Sequence, residues 1–344
     1  MRFLVEAANT VLGVEDGRIV SPFGHFDVVL RVSDGELRPG LINAHDHLHR
    51  NHYGRLGFPP YRNAYEWGDD IHARCADIIA AGRAHPRSAA LRRGAEKNLR
   101  AGVTTVAHHD PWERDFEDAF PVRVLRIRCA HALRSLDDSG LPADSGGPFM
   151  IHLAEGVDDS SAAEVCELDR RGLVNRNLLA VHVVGADRNG ISRLRAAGAG
   201  VIWCPSSNLF MFGRTTPPDL LASGIDVLIG SDSLLSGAGT LLDELRVARE
   251  LGLLADDRLI DSVGAVAVRR FGIDPPSLND GARADFAVFR KPILEATAAD
   301  VALVVARGRL RVLDPELVSA LGKWASAGTI SEMAGVHRWT ALSS

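Results

Sequence analysis

Lysine is scarce in this 344-residue chain, since only Lys97, Lys291 and Lys323 stand among its 39 basic residues. Cysteine is also scarce: the four cysteines lie far apart and form no CxxC pair, so the sequence suggests neither a disulfide framework nor a thiolate zinc site. Nowhere do about 18 uninterrupted apolar residues occur. A secretory leader begins with basic residues followed by an apolar stretch, whereas the first residues of this chain include acidic ones. We therefore expect a cytoplasmic protein without membrane contacts.

An excess of positive charge is also missing. The 39 Lys and Arg residues are outnumbered by 44 Asp and Glu residues, for a formal net charge of -5 at pH 7, which argues against a nucleic-acid-binding surface. Apolar residues make up 46% of the chain and can fill a sizeable core, so a disordered protein is excluded. Histidine, by contrast, is abundant, and its 13 residues suggest metal chemistry.

From Leu41 onward the chain alternates short apolar strands with helical stretches, a pattern typical of parallel βα units. The predicted strands are 41–44, 103–107, 122–129, 149–153, 178–184, 201–204 and 227–229. A closed (β/α)₈ barrel needs an eighth strand and about 250 residues, so the segment 41–273 is slightly short. We expect the missing or irregular strand between Ala130 and Pro148, where the sequence is rich in turn-forming residues.

Both ends of the chain consist of short strands broken by turns, over residues 1–40 and 274–322. We expect the two ends to combine into one small β domain beside a catalytic barrel of residues 41–273. The tail 323–344 is left unassigned.

Candidate metal ligands stand at the ends of the predicted strands. His45 and His47 lie two residues apart, so the alternation of strand side chains puts both imidazoles on one side, where they can bind one metal ion. Alone, this triplet is about as well explained by two surface histidines, because His47 and His49 form a second HxH pair. Three further strand ends carry residues that can bind a metal ion or transfer a proton. They are His152 with Glu155, His182, and Asp232. Together these positions predict a site at the C-terminal mouth of a barrel.

Seven segments of the chain resemble, in the same order, motifs of the amidohydrolase superfamily. They are PGLINAHDH, GVTTVAHH, IHLAE, VHVVGAD, CPSSN, IGSDS and DGARADFAVF. The resemblance covers almost the whole chain and is to the branch with cytosine and guanine deaminases, adenosylhomocysteine-type deaminases and triazine hydrolases. It implies an α/β protein with a distorted (β/α)₈ TIM-type barrel, a β-sandwich domain built from both chain ends, and one divalent metal ion, zinc or iron.

The resemblance also implies roles for the strand-end residues. The metal ligands are then His45, His47, His152 and Asp232. Glu155 corresponds to the proton shuttle of the family, His182 to the residue that orients water or polarises the substrate, and Asp232 also takes part in catalysis.

The scarcity of lysine bears on the number of metal ions. Binuclear members of the superfamily commonly bridge two ions through a carboxylated lysine. Lys97 lies in a predicted helix, and Lys291 and Lys323 follow the barrel, so we expect no lysine to reach the mouth. One ion is therefore predicted, with a Glu or Cys bridge left open.

The resemblance favours hydrolytic deamination of an aminated nitrogen heterocycle, such as a purine, pyrimidine, pterin, triazine or nucleoside-like compound. Hydrolysis of a cyclic amide or of a ring chloride would use the same site, and a non-catalytic binding protein is a remote alternative. His108, His109 and His131 follow strands and are candidates for substrate contacts, although a solvated strand end would explain them equally well. Homo-oligomerisation is left open.

Overall fold

The barrel and its flanking strands are seen in a computed structural model, which describes residues 1–117, 119–136 and 146–342. The strands are β1 (Phe3–Ala7), β2 (Val11–Glu15), β3 (Arg18–Val20), β4 (Val28–Val32), β5 (Glu36–Pro39), β6 (Leu41–Asp46), β7 (Val103–His108), β8 (Arg123–Leu125), β9 (Arg128–Ala132), β10 (Phe149–Leu153), β11 (Leu178–His182), β12 (Gly200–Trp203), β13 (Asp226–Ile229), β14 (Phe286–Phe289), β15 (Val301–Ala306), β16 (Arg309–Leu313), β17 (Thr329–Met333) and β18 (Val336–Thr340). The helices are α1 (Ala64–Arg74), α2 (Ala76–Arg83), α3 (Arg87–Leu99), α4 (Asp159–Arg170), α5 (Arg188–Ala196), α6 (Pro205–Phe212), α7 (Pro218–Leu221), α8 (Leu241–Leu251), α9 (Asp256–Ser262) and α10 (Ala265–Phe271).

Strands β6 to β13 are the parallel strands of a distorted (β/α)₈ barrel, as the motifs imply. They form two hydrogen-bonded sheets in chain order, β6-β7-β8 and β9-β10-β11-β12-β13. Every residue of β6, β7, β10, β11 and β12 is buried, as expected for parallel strands covered on both faces. The Asp232 amide just beyond β13 donates to the His45 carbonyl of β6 at 3.0 Å, which joins the last strand to the first.

The predicted single strand over 122–129 is two strands. β8 and β9 are separated by Arg126 and Ile127, and β8 pairs with β7 while β9 pairs with β10. The eighth barrel strand is thus the C-terminal part of this apolar run, extended to Ala132, and its pairing with β10 carries an irregularity at His152. Residues 137–145, within the segment where the sequence suggests an irregular strand, lie outside the described residues.

Both chain ends form strands that pack beside the barrel. One sheet has the order β3-β2-β1-β4, and the other has the order β17-β18-β16-β15-β14-β5. A shared apolar core joins the two sheets and includes Phe3 and Leu30 from the N-terminal strands and Phe286 and Leu310 from the C-terminal strands. Within the segment from Lys323, which the sequence leaves unassigned, β17 and β18 extend the second sheet.

Helix α3 packs unusually close to the chain that follows β6. A Cβ atom at Gly94 would clash with the Leu48 backbone, so glycine is required for this approach. The close packing brings the next turn of α3, with Lys97 and Asn98, against the base of the barrel mouth. Across the described residues, no helix combines the length and the apolar character needed to cross a membrane.

Candidate active site

The predicted strand-end residues meet at one cavity. It has a volume of about 380 Å³ and is lined by His47, His152, Glu155, His182 and Asp232. His45 lies at its base, fully buried. The C-terminal ends of parallel barrel strands point to one face of the barrel, which explains why residues so distant in sequence come together.

Three histidines of the site have their Nδ1 atoms fixed by oxygen acceptors. The Nδ1 of His47 lies 2.6 Å from Asp110 Oδ2, and the Nδ1 of His152 lies 2.5 Å from the His131 carbonyl. The Nδ1 of His182 lies 2.8 Å from Asn208 Oδ1. An oxygen that only accepts requires the proton on Nδ1, so each Nε2 atom presents a lone pair.

The free nitrogens converge on a space that suits a divalent ion. The Nε2 atoms of His45 and His152 are 3.3 Å apart, close to the spacing of about 3.3 Å expected for two nitrogens on one tetrahedral zinc. Burial lowers the pKa of both imidazoles well below the ordinary value, and His109 beside them lowers it further. Protonation therefore cannot easily relieve the repulsion between two lone pairs, whereas a divalent ion can. The donor set fits a divalent metal ion, and zinc is the ion that such ligands commonly bind.

Asp232 adds a carboxylate on the other side of this space. Its Oδ1 lies 3.8 Å from His45 Nε2 and accepts from the Ser233 amide at 2.6 Å. Its Oδ2 accepts from the Ser207 and Ser236 hydroxyls at 2.8 and 3.0 Å. These bonds hold the carboxylate in place at the strand end.

Glu155 reaches the cavity because the chain bends sharply after β10. Ala154 has a left-handed backbone with φ of 51°, and the Glu155 carbonyl accepts from the Ala64 amide at the start of α1. Its Oε1 then lies 3.4 Å from His182 Nε2. Burial raises the pKa of Glu155 to about 7, although His182 partly opposes the shift. A carboxyl group of this kind can both give and take a proton at neutral pH.

The three predicted substrate-contact histidines lie in different places. His131 lines the cavity. His108 is buried, with its Nδ1 accepting from the Leu48 amide at 3.2 Å and its ring against Phe116. His109 is buried behind His45. The structure thus brings only His131 of these three to the cavity wall.

Lys97 does not line the cavity, but it lies buried directly beneath the site. Its ammonium group is buried 3.1 Å from Asp46 Oδ2 and donates to the Ser231 hydroxyl at 3.0 Å and the Asp232 carbonyl at 2.7 Å. Position in a helix did not keep this side chain away, because α3 packs directly against the base of the site. Lys97 thus donates to two oxygens and forms an ion pair with a third, contacts that suit an amine and not a carboxylated bridging lysine.

Sequence reasoning missed two residues that orient histidines of the site, Asp110 beside His47 and Asn208 beside His182. Asp110 follows the two histidines at the end of β7, and Asn208 belongs to the CPSSN segment, so both stood beside recognised motifs. The aromatic cavity residues Tyr53, Tyr65 and Trp67 were also missed, and their sequence neighbourhood has no signal that separates a cavity wall from a core.

Substituting Lys97 with Met is expected to lower the free energy of unfolding by about 3–5 kcal/mol, because it leaves the Asp46 carboxylate buried without its cation. Urea denaturation measures the effect. The matched control is the double variant Lys97→Met with Asp46→Asn, which removes both charges and should recover more than half of the loss. A single variant within about 1 kcal/mol of the wild type would contradict a stabilising pair.

Comparison with known proteins shows similarity to proteins named as deaminases. No protein-family model matches the chain. It is 27% identical to 5-methylthioadenosine/S-adenosylhomocysteine deaminase of Haloarcula marismortui, over 83% of this chain and 80% of that protein. It is 25% identical to the deaminase of the same name from Moorella thermoacetica, over 90% and 93% of the two chains.

A solved structure shares the architecture. The zinc-bound adenosine deaminase of Xanthomonas campestris superposes with a TM-score of 0.68 at 19% identity, covering 94% of this chain and 97% of that one. The chain thus shares its fold with this solved deaminase and is similar in sequence, over most of its length, to adenosylhomocysteine-type deaminases.

Proposed function

We propose that the chain, a metal-dependent hydrolase, removes the amino group of a nucleoside-like nitrogen heterocycle and releases ammonia. His45, His47, His152 and Asp232 hold one zinc ion in this proposal. The observation that carries it is the position of Glu155, whose carboxyl group faces His182 at 3.4 Å beside the converging imidazole nitrogens.

When bound, the metal ion would supply Lewis acidity that makes a water molecule nucleophilic near neutral pH. Asp232 would take a proton from this water, with its carboxylate held in place by the Ser207 and Ser236 hydroxyls and by the Ser233 amide. The carboxylate thereby directs the oxygen toward the ring carbon that bears the amino group.

Glu155 moves protons on the substrate. It gives a proton to the ring nitrogen next to the attacked carbon. It then takes up the proton that Asp232 removed from the water and delivers it to the departing amine, and the proton of the new hydroxyl group returns Glu155 to its acid form as the carbonyl forms. Its pKa of about 7 allows both steps near neutral pH. His182, held by Asn208 at 2.8 Å, lies beside this carboxyl group and stabilises the charge that develops on the tetrahedral intermediate.

The cavity walls support a flat heterocycle as substrate. Tyr53, Tyr65 and Trp67 line the same cavity as Glu155, and aromatic side chains stack well on planar rings. The volume of about 380 Å³ is in the range of small-molecule sites. The relatives act, by their names, on 5-methylthioadenosine and S-adenosylhomocysteine, so nucleoside-like amines are the first substrates to test.

Ammonia release tests this proposal. Zinc-loaded protein is incubated with 5-methylthioadenosine, S-adenosylhomocysteine, and amino-substituted purines, pyrimidines, pterins and triazines, each beside its oxo counterpart as a matched control. We expect ammonia in a one-to-one ratio with an oxo product from at least one nucleoside-like amine. Opening of a cyclic amide or release of chloride from a chlorotriazine, with no ammonia from any amine, would overturn the deaminase proposal.

A further inference from the structure

His109 is a buried histidine with two well-defined partners. It follows β7 and is 1% exposed. Its Nε2 lies 2.9 Å from the Ala130 carbonyl, and its Nδ1 lies 3.2 Å from the Nδ1 of His45. Its ring also stacks on that of His152, with the ring centroids 4.1 Å apart. His109 therefore contacts two of the proposed metal ligands.

The two hydrogen bonds fix the protonation pattern of both rings. A carbonyl oxygen only accepts, so the proton of His109 is on Nε2 and its Nδ1 presents a lone pair. His45 must then donate from its own Nδ1, which leaves the Nε2 of His45 free to face His152 and Asp232. The chain from the Ala130 carbonyl through His109 to His45 thus selects the tautomer that a metal ligand needs.

His109 could instead be a ligand itself, because its nitrogens lie close to those of His45, His47 and His152. Two observations oppose this reading. The Nδ1 of His109 points at the Nδ1 of His45, away from the Nε2 atoms that converge with Asp232. The Nε2 of His109 is engaged by the Ala130 carbonyl at 2.9 Å, so both of its nitrogens already have a partner in the protein.

We infer that His109 is a positioning residue for the metal site: it accepts the Nδ1 proton of His45 and so presents the other nitrogen of His45 to the ion. The inference rests on the ligand set of the proposed function. His47, His152 and His182 each donate to an oxygen, so among these described histidines His45 alone depends on another imidazole. Loss of such a supporting partner typically weakens metal binding by 10- to 100-fold.

Zinc affinity tests this role without any substrate. Zinc dissociation constants of the full-length wild type, His109→Leu and His109→Gln are measured by competition with a chromophoric chelator. We expect His109→Leu to bind zinc about 10- to 100-fold more weakly. His109→Gln should stay within about threefold of the wild type, since an amide can accept from His45 and donate to Ala130.

Two controls separate positioning from folding and from direct ligation. His108→Leu deletes the neighbouring buried imidazole, which forms no hydrogen bond or ring contact with His45 in the described residues, and should leave zinc affinity within about threefold. In a His45→Gln background, adding His109→Leu should weaken zinc binding by less than about twofold, because the role acts through His45. Cobalt-substituted wild type and His109→Gln should show the same d–d absorption spectrum.

The possible failures are distinguishable. Wild-type affinity in His109→Leu would overturn the positioning role. An equally large loss in His109→Gln with an altered cobalt spectrum would also overturn it and identify His109 as a ligand. If the wild type itself bound no zinc, the ligand set of the proposed function would fail. Should His109→Leu not fold, the glutamine variant and its cobalt spectrum still decide between positioning and ligation.

Discussion

Replacing Glu155 with Gln is expected to lower kcat by roughly 10²–10⁴-fold, the range in which a positioned general acid or base contributes, while zinc content stays at the wild-type level. Glutamine keeps the size and polarity of the side chain but cannot give or take a proton near neutral pH. The carboxyl group lies 3.4 Å from His182 and has a pKa raised by burial to about 7, so proton transfer is the property that the substitution removes. Ammonia release under saturating substrate, together with metal analysis, measures both quantities.

Glu164→Gln is the matched control for this experiment. Glu164 lines the same cavity, but its carboxylate accepts from the Ala154 amide at 2.7 Å and from the Tyr65 hydroxyl at 3.0 Å. An amide oxygen can accept the Ala154 bond, so kcat should fall by less than about tenfold. A Glu155→Gln enzyme with kcat within tenfold of the wild type, or one that has lost its metal, would contradict the assigned proton transfer.

The strand-end residues were predictable because two short-range rules apply to them. Alternation along a strand places His45 and His47 on one side, and parallel strands direct their C-terminal ends to one face. These rules need no knowledge of loop conformation. They suffice to bring His152, His182 and Asp232 into the same cavity, which the structure shows.

Which of the other histidines contacts the site could not be predicted from their spacing in the sequence. His108 and His109 are neighbours in sequence, yet one accepts from a backbone amide and the other contacts a proposed ligand. Which of two adjacent side chains reaches the site depends on side-chain rotamers and on the Ala130 carbonyl of β9, which accepts the last hydrogen bond of the chain. Such contacts are set by packing between strands that are distant in sequence.

The position of Lys97 was also not predictable from the sequence, because it depends on how a helix packs. Its helix was predicted from the sequence, but its distance from the site depends on how closely α3 approaches the turn after β6. The absence of a side chain at Gly94 allows that approach. Likewise, the break between β8 and β9 lies within one apolar run, where hydrophobic pattern alone cannot separate two short strands from one long strand.

Removing the metal is expected to abolish deamination and to destabilise the fold. Turnover should fall by about 10³-fold or more, because the Lewis acid supplies several kcal/mol of transition-state stabilisation. Stability should fall as well, since the ion binds the native donor set of His45, His152 and Asp232 and an unfolded chain lacks this arrangement. At an ion concentration 1,000 times the dissociation constant, binding contributes about 4 kcal/mol. Calorimetry before and after chelation measures this change, and one equivalent of zinc should restore both properties.

Single-histidine variants tie these losses to the proposed ligands. His152→Gln should copurify with little zinc and show no further thermal destabilisation on chelation, because the ion-dependent part of its stability is already gone. His337→Gln removes an exposed histidine of β18 and should respond to chelation like the wild type. Equal zinc content in the two variants would show that the ion is bound elsewhere. Turnover that persists in the chelated wild type would show that the reaction does not need the ion. It would also contradict the role of Asp232 as acceptor of the water proton.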